Sequence, residues 1–486
     1  MSNLRQLISQ TAIYGVPTIV GRFLNFLLVP LYTRYFSDAE YGVITEMYAY
    51  VAFFTVILML GLETGFFRYY VKRERDPDVL NSILLTILMI ATAFLVVGLF
   101  TYRPLAGIMG YADHPEYLLC FVIVLVLDTL TAIPFAKLRN DNKALRFAVI
   151  KIVNILANIG FNLFFIVLCP YLLKNNPENI VKYLYNPQIG IGYVFLSNLL
   201  ASILQLLFFV PNFIRIKLKY NQKLMREILI YSLPIMVLSL AGIVNETFDR
   251  ALLKYLLPKD TAMSQLGIYG ACYKVAILMN LFIQAFRYAA EPFFFKKAKE
   301  GDKTVMEKAT YYFFIACLFI FLICTLFLND IMLFVGKDFR EGAKVVPILL
   351  LANIFLGLIY NLSIWYKNTD KTKIGMWISI LGAGITVVLN FVLIPRIGYM
   401  GAAWTTLICY VVMAVVSYIL GQKYYPIPYK IGKMSLYFLL ALTLFFVNYF
   451  LIDFSPFVHR TIATAMLLVF VLFLLIMERK KSVKIS

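Results

Sequence analysis

Charged and amide side chains stand inside several long apolar segments of this sequence, and their chemistry is the first guide to its function. The first segment, residues 11–36, carries Arg22 near its midpoint, where a charge costs about 2.5–3.5 kcal/mol in a membrane helix. At helical spacing its small and polar residues share one face: Thr11, Gly15, Thr18, Arg22 and Asn25. We therefore expect this face to turn toward a protein interior or a water-filled cavity.

Later segments carry further cations and amides that suit an anionic ligand rich in hydroxyl groups. Arginine matches phosphate through its planar fork, lysine acts as a point charge, and amides donate and accept hydrogen bonds. The candidate binding residues are Arg22, Asn25, Lys151, Asn154, Lys274, Asn280, Gln284 and Arg287. Simpler roles stay open, because Lys151 could snorkel to the membrane interface and Asn25 and Asn280 could bridge helices.

Five carboxylates within or near the ends of apolar segments are candidates for binding a coupling ion: Glu63, Asp128, Glu246, Asp249 and Glu291. A carboxylate held away from water can take up or release a cation as its surroundings change. Glu246, Asp249 and Arg250 could instead neutralise one another at three- and four-residue spacing. Glu291 could simply snorkel toward a membrane surface.

The composition identifies the class of protein that must position these groups. Of 486 residues, 62% are hydrophobic and 15% are charged, and the mean hydropathy is +0.81. These values exclude a soluble globular protein and indicate an integral membrane protein with many spans. The six cysteines lie in or beside apolar segments without metal-binding spacing, so we interpret them as small hydrophobic residues and expect no metal or cofactor.

Hydropathy predicts an all-α membrane protein with about fourteen transmembrane helices. The predicted spans are 11–36, 42–69, 81–102, 117–138, 145–170, 189–213, 228–257, 265–292, 308–328, 343–366, 374–395, 400–421, 434–452 and 460–477. The first apolar run is too long for a signal peptide and is expected to remain as the first span. Loops such as 137–146 and 215–226 are rich in Lys and Arg, whereas 37–42 and 111–116 are not. This bias predicts that both termini are cytoplasmic.

Similar short motifs recur at long range and predict two parallel six-span lobes. Tyr14-Gly-Val-Pro17 opens the first span and Tyr231-Ser-Leu-Pro234 opens the seventh, and Gly-containing turns precede spans six and twelve. The repeat predicts an N-lobe at 1–213, a basic cytoplasmic linker at 214–227 and a C-lobe at 228–421. Residues 422–486 would hold spans thirteen and fourteen and a basic cytoplasmic tail.

One stretch resembles a known family. Residues 389–404, LNFVLIPRIGYMGAAW, are similar to the LNxxLIPxxGxxGAAxAT signature of the polysaccharide-transporter (Wzx-type) flippases, with Thr405 where the family often has Ala. These flippases belong to the multidrug/oligosaccharidyl-lipid/polysaccharide (MOP) exporter superfamily. The run PLYTRYFSDAEYGV at 30–43 and the number of spans match as well. The motif is mostly structural, and Pro395, Gly398 and Gly401 are expected to form a tight turn.

The resemblance implies two lobes around a central cavity and alternating access. It also implies a function, flipping an undecaprenyl-pyrophosphate-linked oligosaccharide (an O-antigen, capsule or exopolysaccharide unit) to the outer leaflet of the bacterial cytoplasmic (inner) membrane. Polysaccharide polymerase and assembly proteins would be its partners, and nucleic acid would not. Because the sequence contains no GxxxxGK[ST] loop, we expect an ion gradient or the membrane potential, not ATP hydrolysis, to drive transport.

Three alternatives remain open at this stage. A lipid II flippase is a close relative that sequence reasoning does not separate from the first hypothesis. A MATE-like drug or cation antiporter would have a cavity dominated by acids and aromatic residues, usually with twelve spans. A membrane polysaccharide polymerase or glycosyltransferase would need a sizeable external loop, and the short connections here argue against an enzyme.

Overall fold

The described residues of this chain form an all-helical fold. The computed structural model describes residues 19–214, 219–299, 303–369, 371–450 and 455–479, with the backbone alone at 289 and 291–299. Within these ranges the secondary structure consists of α-helices, a few short 3-10 turns and one π-helical stretch, without a strand. The chain divides into two compact units, residues 1–267 and 268–486.

The described residues of the first unit form eleven helices and the beginning of a twelfth. They are α1 (19–26), α2 (Val29–Tyr35), α3 (Asp38–Met59), α4 (Leu62–Lys72), α5 (Pro77–Ile108), α6 (Glu116–Asn140), α7 (Ala144–Asn162), α8 (Cys169–Asn175), α9 (Gly192–Leu207), α10 (Val210–Ile214), α11 (Gln222–Leu256) and the start of α12 (Lys259–Lys299). A π-helical stretch, Leu163–Leu168, joins α7 to α8 without interrupting the rod.

In the second unit, the part that the structure describes contains the rest of α12 and eight further helices. They are α13 (Lys303–Leu326), α14 (Leu328–Ile331), α15 (Val346–Leu362), α16 (Ile364–Asn368), α17 (Thr372–Ile397), α18 (Tyr399–Tyr424), α19 (Ile431–Phe450) and α20 (Pro456–Arg479). A 3-10 stretch, Lys337–Val345, leads into α15.

Twelve helical stretches in the described part of the chain are long and apolar enough to cross a membrane. They are α3 with α4, α5, α6, α7 with α8, α11, Lys259–Tyr288 of α12, α13, Lys337–Asn368, α17, α18, α19 and α20. The all-α membrane fold is thus confirmed, whereas the predicted count of fourteen is not. The predicted sixth span is the shorter apolar helix α9, and residues 11–18 of the first lie outside the described residues.

The second predicted span is broken within its length. Its start is fixed by a capping box, in which the Ser37 hydroxyl accepts from the Glu40 amide and the Glu40 carboxylate accepts from the Ser37 amide. α3 then ends at Leu60 and Gly61, whose φ values of +47° and +68° are both left-handed. Two successive left-handed residues interrupt a right-handed helix, so Leu60 and Gly61 separate α3 from α4. The conformation is unfavourable for leucine.

α11 packs along both halves of this broken span. A β-carbon at Gly61 would lie 2.4 Å from the carbonyl oxygen of Ser232, and near the far end of α4 the Arg68 guanidinium lies 4.1 Å from the Tyr231 ring centroid. α11 thus lies in the first compact unit, although the repeat places span seven in the C-lobe. The predicted lobe boundaries stay a prediction.

The turn that carries the family-like motif has the expected geometry. α17 ends at Ile397, Gly398 adopts φ +60° and ψ −144°, and α18 begins at the next residue. A β-carbon at Gly401 would stand 2.5 Å from the carbonyl carbon of Leu393, so only glycine lets the two helices approach this closely. The predicted tight turn is present and is formed by Gly398, whereas Pro395 lies within α17 and Gly401 within α18.

Candidate functional site

Arg22 and Asn25 lie on α1, and both side chains are exposed. α1 packs closely on α7 at Gly21, because a β-carbon there would lie 2.6 Å from the Ile155 side chain. Among the described residues, no hydrogen bond or ion pair involves the Arg22 side chain. The structure therefore leaves this cation, in a predicted apolar span, open to a ligand or water.

The continuation of α1 is held to α7 by a buried polar contact. The Tyr32 hydroxyl on α2 donates to Oδ1 of Asn162 at 2.9 Å, and Asn162 is fully buried. Nδ2 of Asn162 donates to the backbone oxygen of Asn158 at 2.8 Å. A buried amide with partners on both sides fixes the position of one helix on another, so this contact fixes α2, which follows the helix that carries Arg22, on α7.

Lys151 and Asp128 lie in neighbouring helices of the first unit. Lys151 Nζ is 4.3 Å from the centroid of the Phe135 ring, a cation–π distance, and Asp128 is close enough to interact with it electrostatically. Asp128 Oδ1 also accepts a hydrogen bond from the Ser202 hydroxyl at 3.1 Å. The structure thus brings together one predicted binding cation and one predicted coupling carboxylate.

Asn154 has a helix-bridging contact. Its Nδ2 donates to the backbone oxygen of Ala201 at 3.0 Å, which ties α7 to α9. Bridging of this kind is common between membrane helices because a side-chain amide in lipid has no water to accept its hydrogen bond. The amide oxygen of Asn154 is left for other partners.

The four remaining predicted binding residues follow one another along α12, in the second unit. Lys274 is exposed and interacts with another group of the protein. Asn280 is buried and Gln284 is partly buried. The Arg287 guanidinium lies 4.9 Å from the centroid of the Tyr360 ring. Arg287 and Tyr360 line a small recess together with Asn361 and Lys367, so two cations share this position.

The predicted coupling carboxylates have different surroundings. Glu63, in the first turn of α4, forms an ion pair with Arg139 at 2.8 Å, and both side chains are more than two-fifths exposed. Glu246 is exposed, whereas Asp249 is buried and accepts from the Arg250 amide at 2.8 Å. The Glu291 side chain lies outside the described residues. These acids do not form one cluster within the described chain, and no group of metal-binding side chains is found there either.

Sequence reasoning missed the most enclosed ion pair among the described residues of the first unit. The Glu46 side chain on α3 is fully buried, and Lys254 on α11 donates to both of its oxygens at 3.0 Å. Tyr50 donates to the same carboxylate at 2.9 Å, and Tyr111, in the turn between α5 and α6, donates as well. Burial and the Glu46 charge raise the pKa of Tyr111, so its hydroxyl stays protonated and able to donate.

Comparison with known proteins identifies the family. The sequence profile of the family described as "Polysaccharide biosynthesis protein" matches residues 7–298, which is more than half of the chain. The chain belongs to this family. The family is one of polysaccharide biosynthesis, as the resemblance of residues 389–404 indicated.

Relatives of known name or structure align with most of this chain. The capsular polysaccharide biosynthesis protein CapF of Staphylococcus aureus is 25% identical over 419 residues, covering 83% of this chain and 96% of CapF. Among solved structures, the inward closed conformation of lipid II flippase MurJ aligns with a TM-score of 0.71 at 17% identity, covering 94% and 97% of the two chains. An inward-facing multidrug MATE transporter aligns at 0.57 with 15% identity, covering 90% and 96%. These structures share the fold.

One sequence signal could have revealed Glu46. It lies about one turn inside the predicted second span, on the same helical face as Tyr50 and Phe53. Its partner Lys254 follows 208 residues later, near the end of the seventh span. Each alone resembles a charge that snorkels to an interface, so the pairing is visible only in three dimensions.

Proposed function

We propose that this polysaccharide biosynthesis protein flips a lipid-linked oligosaccharide, carried on undecaprenyl pyrophosphate, from the inner to the outer leaflet of the bacterial cytoplasmic membrane. It would do so by alternating access between the predicted lobes, with both termini in the cytoplasm. Family membership supports a role in polysaccharide export, and the fold supports a MOP-type transport cycle. We further propose the undecaprenyl carrier and the direction of transport, which go beyond what the family and the fold support.

The exposed guanidinium of Arg22 is the observation that carries this proposal. It lies in an apolar segment without a partner among the described side chains, where an isolated charge is costly. A pyrophosphate group would neutralise it through charge-assisted, bidentate hydrogen bonds. Lys151 and Arg287 are the next cations that we propose along the path, and the amides Asn25 and Gln284 would meet sugar hydroxyls.

The first experiment compares variants in a strain that lacks the gene. We expect Arg22→Ala to reduce export of the surface polysaccharide at least ten-fold at normal abundance in the membrane, and Arg22→Lys to retain part of it. Arg103→Ala is the matched control, because Arg103 already donates to the Tyr102 hydroxyl at 3.0 Å. Loss of membrane protein in Arg22→Ala, rather than loss of export, would contradict a binding role.

The glycan that accumulates without the gene identifies the substrate class. Build-up of one polysaccharide repeat unit on its lipid carrier supports the proposal. Accumulation of lipid II would instead support the alternative of a lipid II flippase, which the likeness to MurJ in fold favours. Unchanged glycans with increased drug sensitivity would support a MATE-like antiporter.

The energy source is tested in vesicles that contain the purified protein. We propose that a proton or sodium gradient, or the membrane potential, drives the cycle, with Asp128 as the first carboxylate to test because it lies near Lys151. Asp128→Asn should then uncouple transport from the gradient. Transport that ignores both gradients and the potential would refute this part of the proposal.

A further inference from the structure

The Glu46–Lys254 pair joins two helices of the first compact unit, and the proposed alternating access between the predicted lobes would have to separate them. α3 belongs to the predicted N-lobe, and α11 belongs to the predicted C-lobe. We infer that Glu46 and Lys254 form a latch that closes one end of the transport path, and that each transport cycle opens and remakes it. This inference rests on the proposed transport function and assigns positioning roles to two residues that do not themselves bind the substrate.

The latch ties three separate elements together. Lys254 Nζ bridges the two carboxylate oxygens of Glu46 and also donates to the backbone oxygen of Met109 at 2.6 Å, at the end of α5. The same ammonium lies 4.2 Å from the centroid of the Tyr111 ring. All of the proton donors of Lys254 are therefore directed at protein groups, and only 15% of its side chain is exposed.

A buried ion pair of this kind has two stable arrangements. Either both charges stay paired, or both become hydrated, because a single unpaired charge in a low-dielectric interior is strongly unfavourable. An element with two discrete arrangements and nothing between them is what a switching transition requires. The pair is therefore suited to switching this end of the transport path between a closed and an open state.

Neighbouring contacts lie on the same faces of the two helices. The hydroxyls of Tyr50 and Tyr255 are 2.9 Å apart, and the rings of Phe53 and Phe248 meet edge-to-face at 5.9 Å. Ala251 lies between Phe248 and Tyr255 on α11 at helical spacing and is only 6% exposed. Opening the latch would therefore expose Ala251, which makes this position a suitable reporter.

The start of α12 closes the same end by direct backbone approach. A β-carbon at Gly42 would lie 2.1 Å from the Met263 carbonyl oxygen, and Ser264 donates a hydrogen bond to the Asp38 carboxylate. Asp38 and Ser264 are thus close enough to be cross-linked without altering either residue of the latch.

The opposite end of the broken span provides a matched control. There, Arg73 of the chain segment after α4 pairs with Glu227 of α11 at 3.3 Å, with 39% and 56% of the side chains exposed. An exposed pair is screened by water and contributes little. Removing its charge should leave the latch end unchanged.

The first test locks this end in a variant whose six native cysteines are replaced. Asp38→Cys with Ser264→Cys should form a disulfide that reduces polysaccharide export at least ten-fold, and reduction should restore export. Full export by the cross-linked protein would overturn the inference, because this end would then not need to open. If the wild-type chain fails to restore export in the deletion strain, the proposed function fails and the latch is judged by the second test alone.

The second test measures accessibility and does not depend on a substrate. Ala251→Cys, probed with a membrane-impermeant maleimide in intact cells and inverted vesicles, should be labelled several-fold faster when combined with Glu46→Gln or Lys254→Met. The double variant should be labelled no faster than the single ones, since it leaves no unpaired buried charge, and Glu227→Gln should change nothing. Unchanged labelling in Glu46→Gln and Lys254→Met at normal abundance would overturn the latch.

Discussion

Gly61 lies directly against the carbonyl oxygen of Ser232, at a separation that leaves no room for a β-carbon. Its φ of +68° is also one that a substituted residue adopts at a cost of about 1–2 kcal/mol. We therefore expect Gly61→Ala to destabilise the protein by at least that amount and to separate α4 from α11. The measurement is thermal unfolding of the detergent-solubilised protein.

Gly160→Ala is the control for this prediction. Gly160 is helical, and a β-carbon there would have no neighbour within 4 Å, so alanine should be neutral or stabilising by up to about 1 kcal/mol. Equal unfolding temperatures for Gly61→Ala and the wild type would show that the close approach to Ser232 is absent in the membrane protein.

Tyr32 and Asn162 should depend on each other energetically. Asn162→Ala leaves the buried Tyr32 hydroxyl without its acceptor and should cost about 1–3 kcal/mol, whereas Tyr32→Phe should cost about 1 kcal/mol. The double variant should then be less destabilised than the sum of the two. Additive effects in a double-mutant cycle of unfolding free energies would contradict the hydrogen bond.

Glu478 should be important for stability even though it lies at the end of α20. Its Oε1 accepts from the Tyr311 hydroxyl at 2.6 Å, from the Tyr437 hydroxyl at 2.8 Å and from Lys433 at 3.0 Å. Glu478→Ala removes the shared acceptor, and the expected cost is about 1.5–3 kcal/mol because the bonds are charge-assisted.

Glu178→Gln is the matched control for Glu478. The Glu178 carboxylate is 82% exposed and pairs only with Lys182 one turn along, so its loss should change stability by less than about 0.5 kcal/mol. If both substitutions have the same small effect on the unfolding temperature, the Glu478 contacts do not hold the helices together.

Asp330 should make stability sensitive to acid. Hydrogen bonds from Arg460 hold the pKa of Asp330 below its ordinary value. A carboxyl group with a depressed pKa stabilises the folded state above its unfolded pKa of about 3.9, and this contribution is lost as the pH falls through the folded pKa. The pair is partly exposed, so we expect at most about 1 kcal/mol.

The check for Asp330 is the pH dependence of unfolding in wild type and Asp330→Asn. The wild type should be more stable above about pH 5, and the two curves should converge as the pH is lowered below about 4. A difference that persists or grows in acid would assign the effect to another group.

Apolar segment length predicted most of the fold. Twelve predicted spans correspond to twelve spanning helical stretches, because a run of about twenty apolar residues has one stable arrangement in a bilayer. Gly398 was also predictable, since a Pro and two Gly at short spacing indicate a turn. The break at Leu60 was not, because leucine rarely adopts a left-handed conformation and one glycine in a membrane segment is common.

The site was predicted less completely. Arg22 stands out from one apolar segment alone, because the cost of a central charge is local. Glu46 and Lys254 do not stand out in the sequence, because their role depends on a contact between residues 208 positions apart. Asn154 shows the converse: its residue type suits ligand binding, but its donor is already directed at the backbone of α9.

Glu478 also has a practical consequence for work with this protein. Through that one carboxylate, the last helix is bonded to α13 and α19, so the C-terminal helices are structural parts of the second unit rather than a dispensable extension. An affinity tag or fluorescent reporter should therefore be placed so that the chain up to and including Glu478 stays intact. A shortened chain that stops before Glu478 would leave two tyrosines and a lysine without their common acceptor, and we expect it to purify poorly.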